Sequence, residues 1–253
     1  MLKEIVIAFQ SYAEAHRFIY KHRLWKWIVI PGILYALLFA ISMYFFGKTS
    51  TAAIEYLTTT TGLDQWLQKF KNSWLGFLFT FAGIMLWLTQ MLFYFSLFKY
   101  LFLIIGSPVF AYLSEKTASI MEGKDYTFSF SQLMKDALRG MKLSLRNTVW
   151  QTVYLIGLII LAFIPVIGWI TPLIALFTEC FYYGFSMIDY SFERQKLSSA
   201  QSIRFINQHK GLAIGNGIVF YLMHGFLIIG WVLAPAYAVI AATLSLYKIK
   251  QYV

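Results

Sequence analysis

Apolar residues in this chain are gathered into long blocks, and the first segment alone departs from that habit. Over residues 2–21, Leu2, Ile5, Val6, Phe9, Tyr12, Ala13, Ile19 and Tyr20 recur at helical spacing. Lys3, Glu4, Gln10, Glu14, Arg17 and Lys21 fall largely on the other side. The pattern predicts an amphipathic helix within 1–24 that lies in a membrane interface. From Trp25 to Phe46 only Lys26 is charged. That stretch, 25–46, is long enough to cross a hydrocarbon core of ~30 Å at ~1.5 Å per residue, with Pro31-Gly32 placed to kink it. A polar section, Gly47–Asn72, follows, with Thr58-Thr59-Thr60-Thr61-Gly62 expected as its loop. Ser73–Phe98 carries no charge, and after Lys99 the chain stays apolar to Ile105, so 73–105 is the second expected span.

Ser107-Pro108 predicts a helix start, with a capping hydroxyl followed by proline where no backbone donor is required. Ser129 with Gln132 has the form of a capping box before a helix that is basic at first (Lys135, Arg139, Lys142, Arg146) and wholly apolar from Thr148. An internal echo comes next. Ile167-Gly168-Trp169 precedes Pro172, and Ile229-Gly230-Trp231 precedes Pro235. Each lies midway through an uncharged stretch, which predicts two helical hairpins, 148–188 and 211–247, with Gly/Pro breaks at their tips. The tips hold no charge. Two readings stay open: hairpins that dip into the bilayer and stop short, or four short full spans. The first requires an oligomer or a pore, because irregular backbone at membrane depth must be surrounded by protein or water.

Composition turns these blocks into a membrane assignment. Hydrophobic residues are 59% of 253 and charged residues 13%, about half of what a soluble domain uses to wet its surface. Mean hydropathy is +0.64. The fold class expected is all-α integral membrane. Net charge is +10, yet the basic residues flank apolar blocks and form no basic surface interleaved with aromatics, so nucleic acid is excluded as a partner. All 21 lysines and arginines except Lys48, Lys69 and Lys71 fall on one side of the expected spans. This positive-inside bias places both termini in the cytoplasm. The start shows no removable signal peptide. The one cysteine, Cys180, sits in an apolar stretch and reads as a buried thiol.

Candidate chemistry is sparse. His16, His22, His209 and His224 have no metal-ligand spacing, and neither a nucleophile elbow nor a phosphate-binding Gly-x-x-x-x-Gly-Lys loop occurs. Neither an enzyme, a metal nor a cofactor is expected, and any flux would be passive. Positive potential for an anion could come from Arg23 and Lys26, or from free N–H groups of a helix beginning at Ser107. Topology alone also accounts for the two cations, and simple capping for the serine. Glu179 and His224 are the polar groups expected in or near the hairpins. Each is open to two readings: pore residue, or interfacial acid and packing histidine respectively.

Several segments resemble the CysZ-type sulfate permeases, which share a domain with the etoposide-induced membrane proteins. They are Gly106-Ser107-Pro108 with Leu113 and Glu115, then Phe163-Ile164-Pro165-Val166-Ile167-Gly168, and Met187-Ile188-Asp189-Tyr190-Ser191-Phe192-Glu193-Arg194. In the last, Ser191 stands where the family has proline in an Asp-Tyr-Pro segment. The resemblance runs in order along nearly the whole chain, taken as one domain over 1–253. It implies two long spans, two partly inserted hairpins, a homo-oligomer in the bacterial inner membrane, and sulfate uptake supporting cysteine biosynthesis. It also implies an anion site at Arg23, Leu24 and Lys26, matching a Gly-Leu/Ile-Arg-Arg stretch. There Arg23 replaces the glycine, Trp25 the first arginine and Lys26 the second. A lysine binds sulfate as a point charge without arginine's fork. The competing expectation is a membrane scaffold or envelope protein of the same fold that transports nothing.

Overall fold

The structure, a computed structural model, describes residues 1–60, 73–123, 129–162, 164, 166–194, 197–226 and 228–252. Its elements among them are helical: α1 (Leu2–His22), α2 (Lys26–Thr60), α3 (Trp74–Glu122), α4 (Phe130–Ala162), a 3-10 turn (Ile167–Ile170), α5 (Thr171–Arg194), α6 (Ser199–Gln208), α7 (Lys210–His224) and α8 (Ile229–Tyr252). The all-α class is as expected. Among the described residues, four segments are long and apolar enough to cross a membrane: Trp25–Ala52, Trp74–Ser96, Leu138–Ala162 and Ile229–Ile249.

Two expectations are corrected. Thr58, Thr59 and Thr60, the start of the expected loop, are helical, because α2 continues through the polar section to Thr60. Thr49, Thr51 and Thr59 donate back to the carbonyls of Phe45, Gly47 and Glu55 at 2.9, 2.9 and 2.7 Å, so these hydroxyls are satisfied within the helix. Thr61 and Gly62, the rest of that expected loop, lie outside the described residues, as do Lys69, Lys71, Lys124, Phe163, Pro165 and Lys196. Nor does Ser107 start a helix. Pro108 lies inside α3, where it cannot donate to the Ile104 carbonyl four residues back. The Ser107 hydroxyl donates to that carbonyl at 2.9 Å and fills the gap. The helix after Ser129 begins at Phe130 as predicted; the Gln132 side chain lies outside the described residues.

The chain divides into two compact units. The first holds Met1–Leu38, Tyr100–Thr148 and Glu179–Val253. At its centre α1, α7 and α8 pack together. Helix α7 carries small residues on two sides. Gly211 and Gly215, one turn apart, meet the α1 backbone at Met1 and Ile5. Ala213 and Gly217, also one turn apart, meet Gly184 and Cys180 of α5. A Cβ at Gly217 would fall inside the van der Waals radius of the Cys180 carbonyl. Small residues at four-residue spacing allow backbones to approach this closely. Glu4 of α1 caps α7: it accepts from the Gly211 N–H at 3.0 Å and pairs with His209 at 2.9 Å.

The second unit holds Phe39–Lys99 and Val149–Thr178. Leu155, Leu158 and Ala175 form its core against Leu92 and Phe93. Ser50 donates to Gln90 at 3.0 Å, and Thr89 meets Thr171 at 3.1 Å.

The sequence echo is also a backbone echo. Val166 and Ile228, each directly before Ile-Gly-Trp, have φ of 74° and 64°. Gly168 then donates to Ile164 at 2.7 Å and Gly230 to Phe226 at 2.8 Å. Both glycines lie against carbonyls of the preceding arm, Ala162 and Met223. Beta-branched residues at positive φ are strained by about 1–3 kcal/mol. Matching strain at matching positions marks one turn design used twice.

Substituting Gly217→Ala is expected to cost about 1–3 kcal/mol by overpacking the α5–α7 contact. Gly225→Ala, where a Cβ would meet only ordinary contacts, is expected to stay within about 0.5 kcal/mol. Thermal unfolding of the two variants in detergent checks the contrast.

Candidate functional site at the α1–α2 joint

All six residues singled out in the sequence fall in the first unit. Arg23, Leu24 and Lys26 stand where α1 ends and α2 begins. Arg23 is in the left-handed region, φ 53° and ψ 42°, as the C-terminal cap of α1. Its N–H donates to Tyr20 at 3.4 Å, and Leu24 donates to Ile19 at 3.2 Å. This closing turn favours glycine because the left-handed backbone costs a residue with a Cβ about 1 kcal/mol or more. A glycine would suit this turn on backbone grounds, and Arg23 makes it while adding a cation.

Leu24 is buried at 4% exposure, so its side chain anchors the joint and does not meet solvent. Arg23 and Lys26 are exposed. Lys26 opens a 35-residue helix with no acid in its first turn, where the macrodipole favours anions. Trp27 stacks on Tyr112 with ring centroids 4.3 Å apart and fixes the start of α2 against α3. The first N–H groups of α2 are already bonded, Trp27 to Leu24 at 3.1 Å and Ile28 and Val29 to Trp25 at 3.1 and 2.9 Å, so what the joint offers to water is its two cations.

Ser107 is inside a helix and buried, so the cradle of free N–H groups expected there does not form. Glu179 is fully buried and accepts from Tyr221 at 2.5 Å. His224 is a hydrogen-bonded packing histidine: Nε2 meets the Tyr35 hydroxyl at 2.9 Å, and the ring lies near Phe220 and Trp231. Tyr221 and His224 sit one turn apart on α7, so the structure brings Glu179 and His224 to neighbouring levels of one core. Their partners, Tyr35 and Tyr221, escaped sequence reasoning because pairs 189 and 42 residues apart leave no local pattern.

Two further clusters were missed. Arg139 Nη2 donates to Ser202 at 2.8 Å and to Asp189 at 3.4 Å. Burial pushes the Asp189 carboxyl up to about 6, against the opposing pull of Arg139 and Ser202. The hydroxyls of Ser114, Ser191 and Thr243 form a closed ring of contacts at 2.9–3.2 Å. Ser191, the departure from the Asp-Tyr-Pro pattern, is thereby part of a helix contact. Among the described residues, no group of three or more His, Cys, Asp or Glu could hold a metal ion.

Comparison with known families matches residues 11–243 to the one described as Sulfate transporter CysZ/Etoposide-induced protein 2.4. The chain belongs to that family. CysZ-family proteins are transporters and not enzymes. Curated relatives named Sulfate transporter CysZ include one from Pseudomonas syringae pv. tomato, 25% identical over 227 residues and 87% of each chain. Another, from Pseudomonas aeruginosa, is 26% identical over 238 residues, covering 93% of this chain and 92% of the relative. A third, from Pseudomonas fluorescens, is 29% identical over 143 residues, 56% of this chain and 57% of the relative.

Two outcomes follow for this CysZ-family chain. Arg23→Gly is expected to raise stability by about 1 kcal/mol by relieving the left-handed backbone, measured by thermal unfolding, while removing one cation from the joint. Asp189 gives a pH dependence of definite sign. Between about pH 4 and 6 the folded protein keeps a proton that the unfolded chain releases, so stability falls as pH rises through that window. With an ordinary carboxylate near 3.8 and a folded value of about 6, the loss amounts to about 3 kcal/mol. Unfolding of wild type and Asp189→Asn at pH 4 and pH 7 should show the loss in the first and not in the second.

Proposed function

We propose that this protein is a passive permease for sulfate or a related oxyanion in the bacterial inner membrane, with both termini cytoplasmic, supplying sulfate to cysteine biosynthesis. The observation that carries the reading is the α1–α2 joint. Two exposed cations stand there at the positive end of the α2 dipole, with no acid in its first turn. A dianion loses most of its hydration on entering a membrane protein, so its mouth must supply donors and positive potential. The names of the relatives support the choice of sulfate. Arg23 offers a fork and Lys26 a point charge, a weaker pair than two arginines.

The hairpins belong to the same reading. One arm of the second hairpin, α7, has 15 residues, about 22 Å at helical rise and short of a ~30 Å core, although its other arm, Ile229–Ile249, and the arm Leu138–Ala162 of the first are long enough to cross. We read both hairpins as partly inserted and the working unit as a homo-oligomer that surrounds their tips. A non-transporting scaffold is the alternative. What favours it is that the buried polar groups pair within the chain, Glu179 with Tyr221 and Tyr35 with His224.

Labelled-sulfate uptake into proteoliposomes tests the proposal. Wild type should exceed empty vesicles, and Arg23→Ala with Lys26→Ala should reduce uptake at least tenfold. A well-folded wild type that passes no sulfate would move the reading to the scaffold.

A further inference from the structure

A second basic feature lies one to two turns back along α1, apart from the joint. A cleft of roughly 390 Å³ opens between α1 and residues near the ends of α3 and α8. Arg17, Lys21 and His22 form its rim, and Phe18, Met121 and Leu244 are its apolar lining. Glu14 also borders it, but its carboxylate is held by Lys248 at 2.8 Å. Among the described residues neither Arg17 nor Lys21 has an ion-pair partner. The field at the rim is positive from more than one helix. His22 is held below its ordinary value by burial and then by Lys21 and by Lys116 of α3.

The surface beside the rim identifies what such a cleft would meet. Leu2, Val6, Phe9 and Tyr20 are 78, 54, 42 and 76% exposed. With exposed Ala13 they share one side of α1, and Arg17 and Lys21 lie next to that stripe in helical rotation. An exposed apolar stripe flanked by cations is the arrangement of a helix resting in a lipid interface. An apolar lining below a basic rim fits an amphiphilic anion better than a free, fully hydrated one. The volume matches a headgroup and its glycerol, not a whole lipid.

We propose that this cleft is a headgroup site for an anionic phospholipid of the surrounding leaflet. Its phosphate is held by Arg17 and Lys21, and its glycerol lies over Phe18, Met121 and Leu244. The assignment goes beyond the transport reading and does not depend on which solute is carried.

Native mass spectrometry of the purified full chain in mild detergent, with dioleoylphosphatidylglycerol or dioleoylphosphatidylcholine added, tests it. Wild type should retain the anionic lipid with at least about tenfold preference. Arg17→Gln plus Lys21→Gln should lose that preference about tenfold, since cations near an anionic lipid surface add to its attraction. Lys135→Gln plus Lys142→Gln removes two exposed cations elsewhere on the same expected side and should leave the preference intact. Arg17→Gln alone, a single exposed change, gives an intermediate loss and stands in if the double variant unfolds. Three results would overturn the assignment. They are full preference in the Arg17 variants, equal loss in both double variants (a diffuse field, not a site), or displacement of the lipid by millimolar sulfate or phosphate at constant ionic strength (a free-anion site).

Discussion

The first unit depends on how closely other backbones can approach α7. Glycines on one side admit α1 and an Ala-Gly pair on the other admits α5, so a helix of only four turns is covered from two directions. Close approach then brings polar groups within reach that would otherwise be buried without partners. Asn216 on α7 accepts from Tyr12 at 2.9 Å and donates to Ala238 of α8 at 3.3 Å. Tyr221 reaches Glu179 of α5, and His224 reaches Tyr35 of α2. A buried polar side chain left unpaired costs about 1–3 kcal/mol. Each of these pairs therefore fixes the register of the helices it joins as well as holding them together.

The hairpin tips show a second use of constrained backbone. Val166 and Ile228 take up a conformation that beta-branched residues ordinarily avoid, and the glycine two residues later lets the chain fold back against its own arm. Trp169 then meets Phe81 edge-on at 5.0 Å, while Trp231 lies near His224 at 6.1 Å. The same tripeptide makes the same turn and presents its tryptophan to different neighbours.

Much of the architecture was legible because it rests on local signals. The amphipathic α1, the apolar spans and the echoed tips follow from hydrophobic spacing and from Gly and Pro, which act over a few residues. The errors have local causes too. The threonine run from Thr58 read as loop because such hydroxyls compete with helix formation, yet Thr59 bonds back within α2. Ser107-Pro108 read as a cap because the same two residues serve equally well as a repair inside a helix. The candidate site divides in the same way. Arg23 and Lys26 were visible as contiguous residues beside a span. The partners of Glu179 and His224, the Arg139–Asp189–Ser202 cluster and the Ser191 ring were not, since they unite residues brought together only by packing.

Glu4 has a bearing on selectivity that its capping role does not at first suggest. By placing its carboxylate on the Gly211 N–H and beside His209, the chain fills the positive end of α7 with an anion of its own. A tethered counter-ion is present at a local concentration that no dissolved oxyanion can match, so this helix end is closed to passing solutes. A protein that handles small anions gains from such internal plugs. They keep stray positive helix ends from acting as dead-end traps.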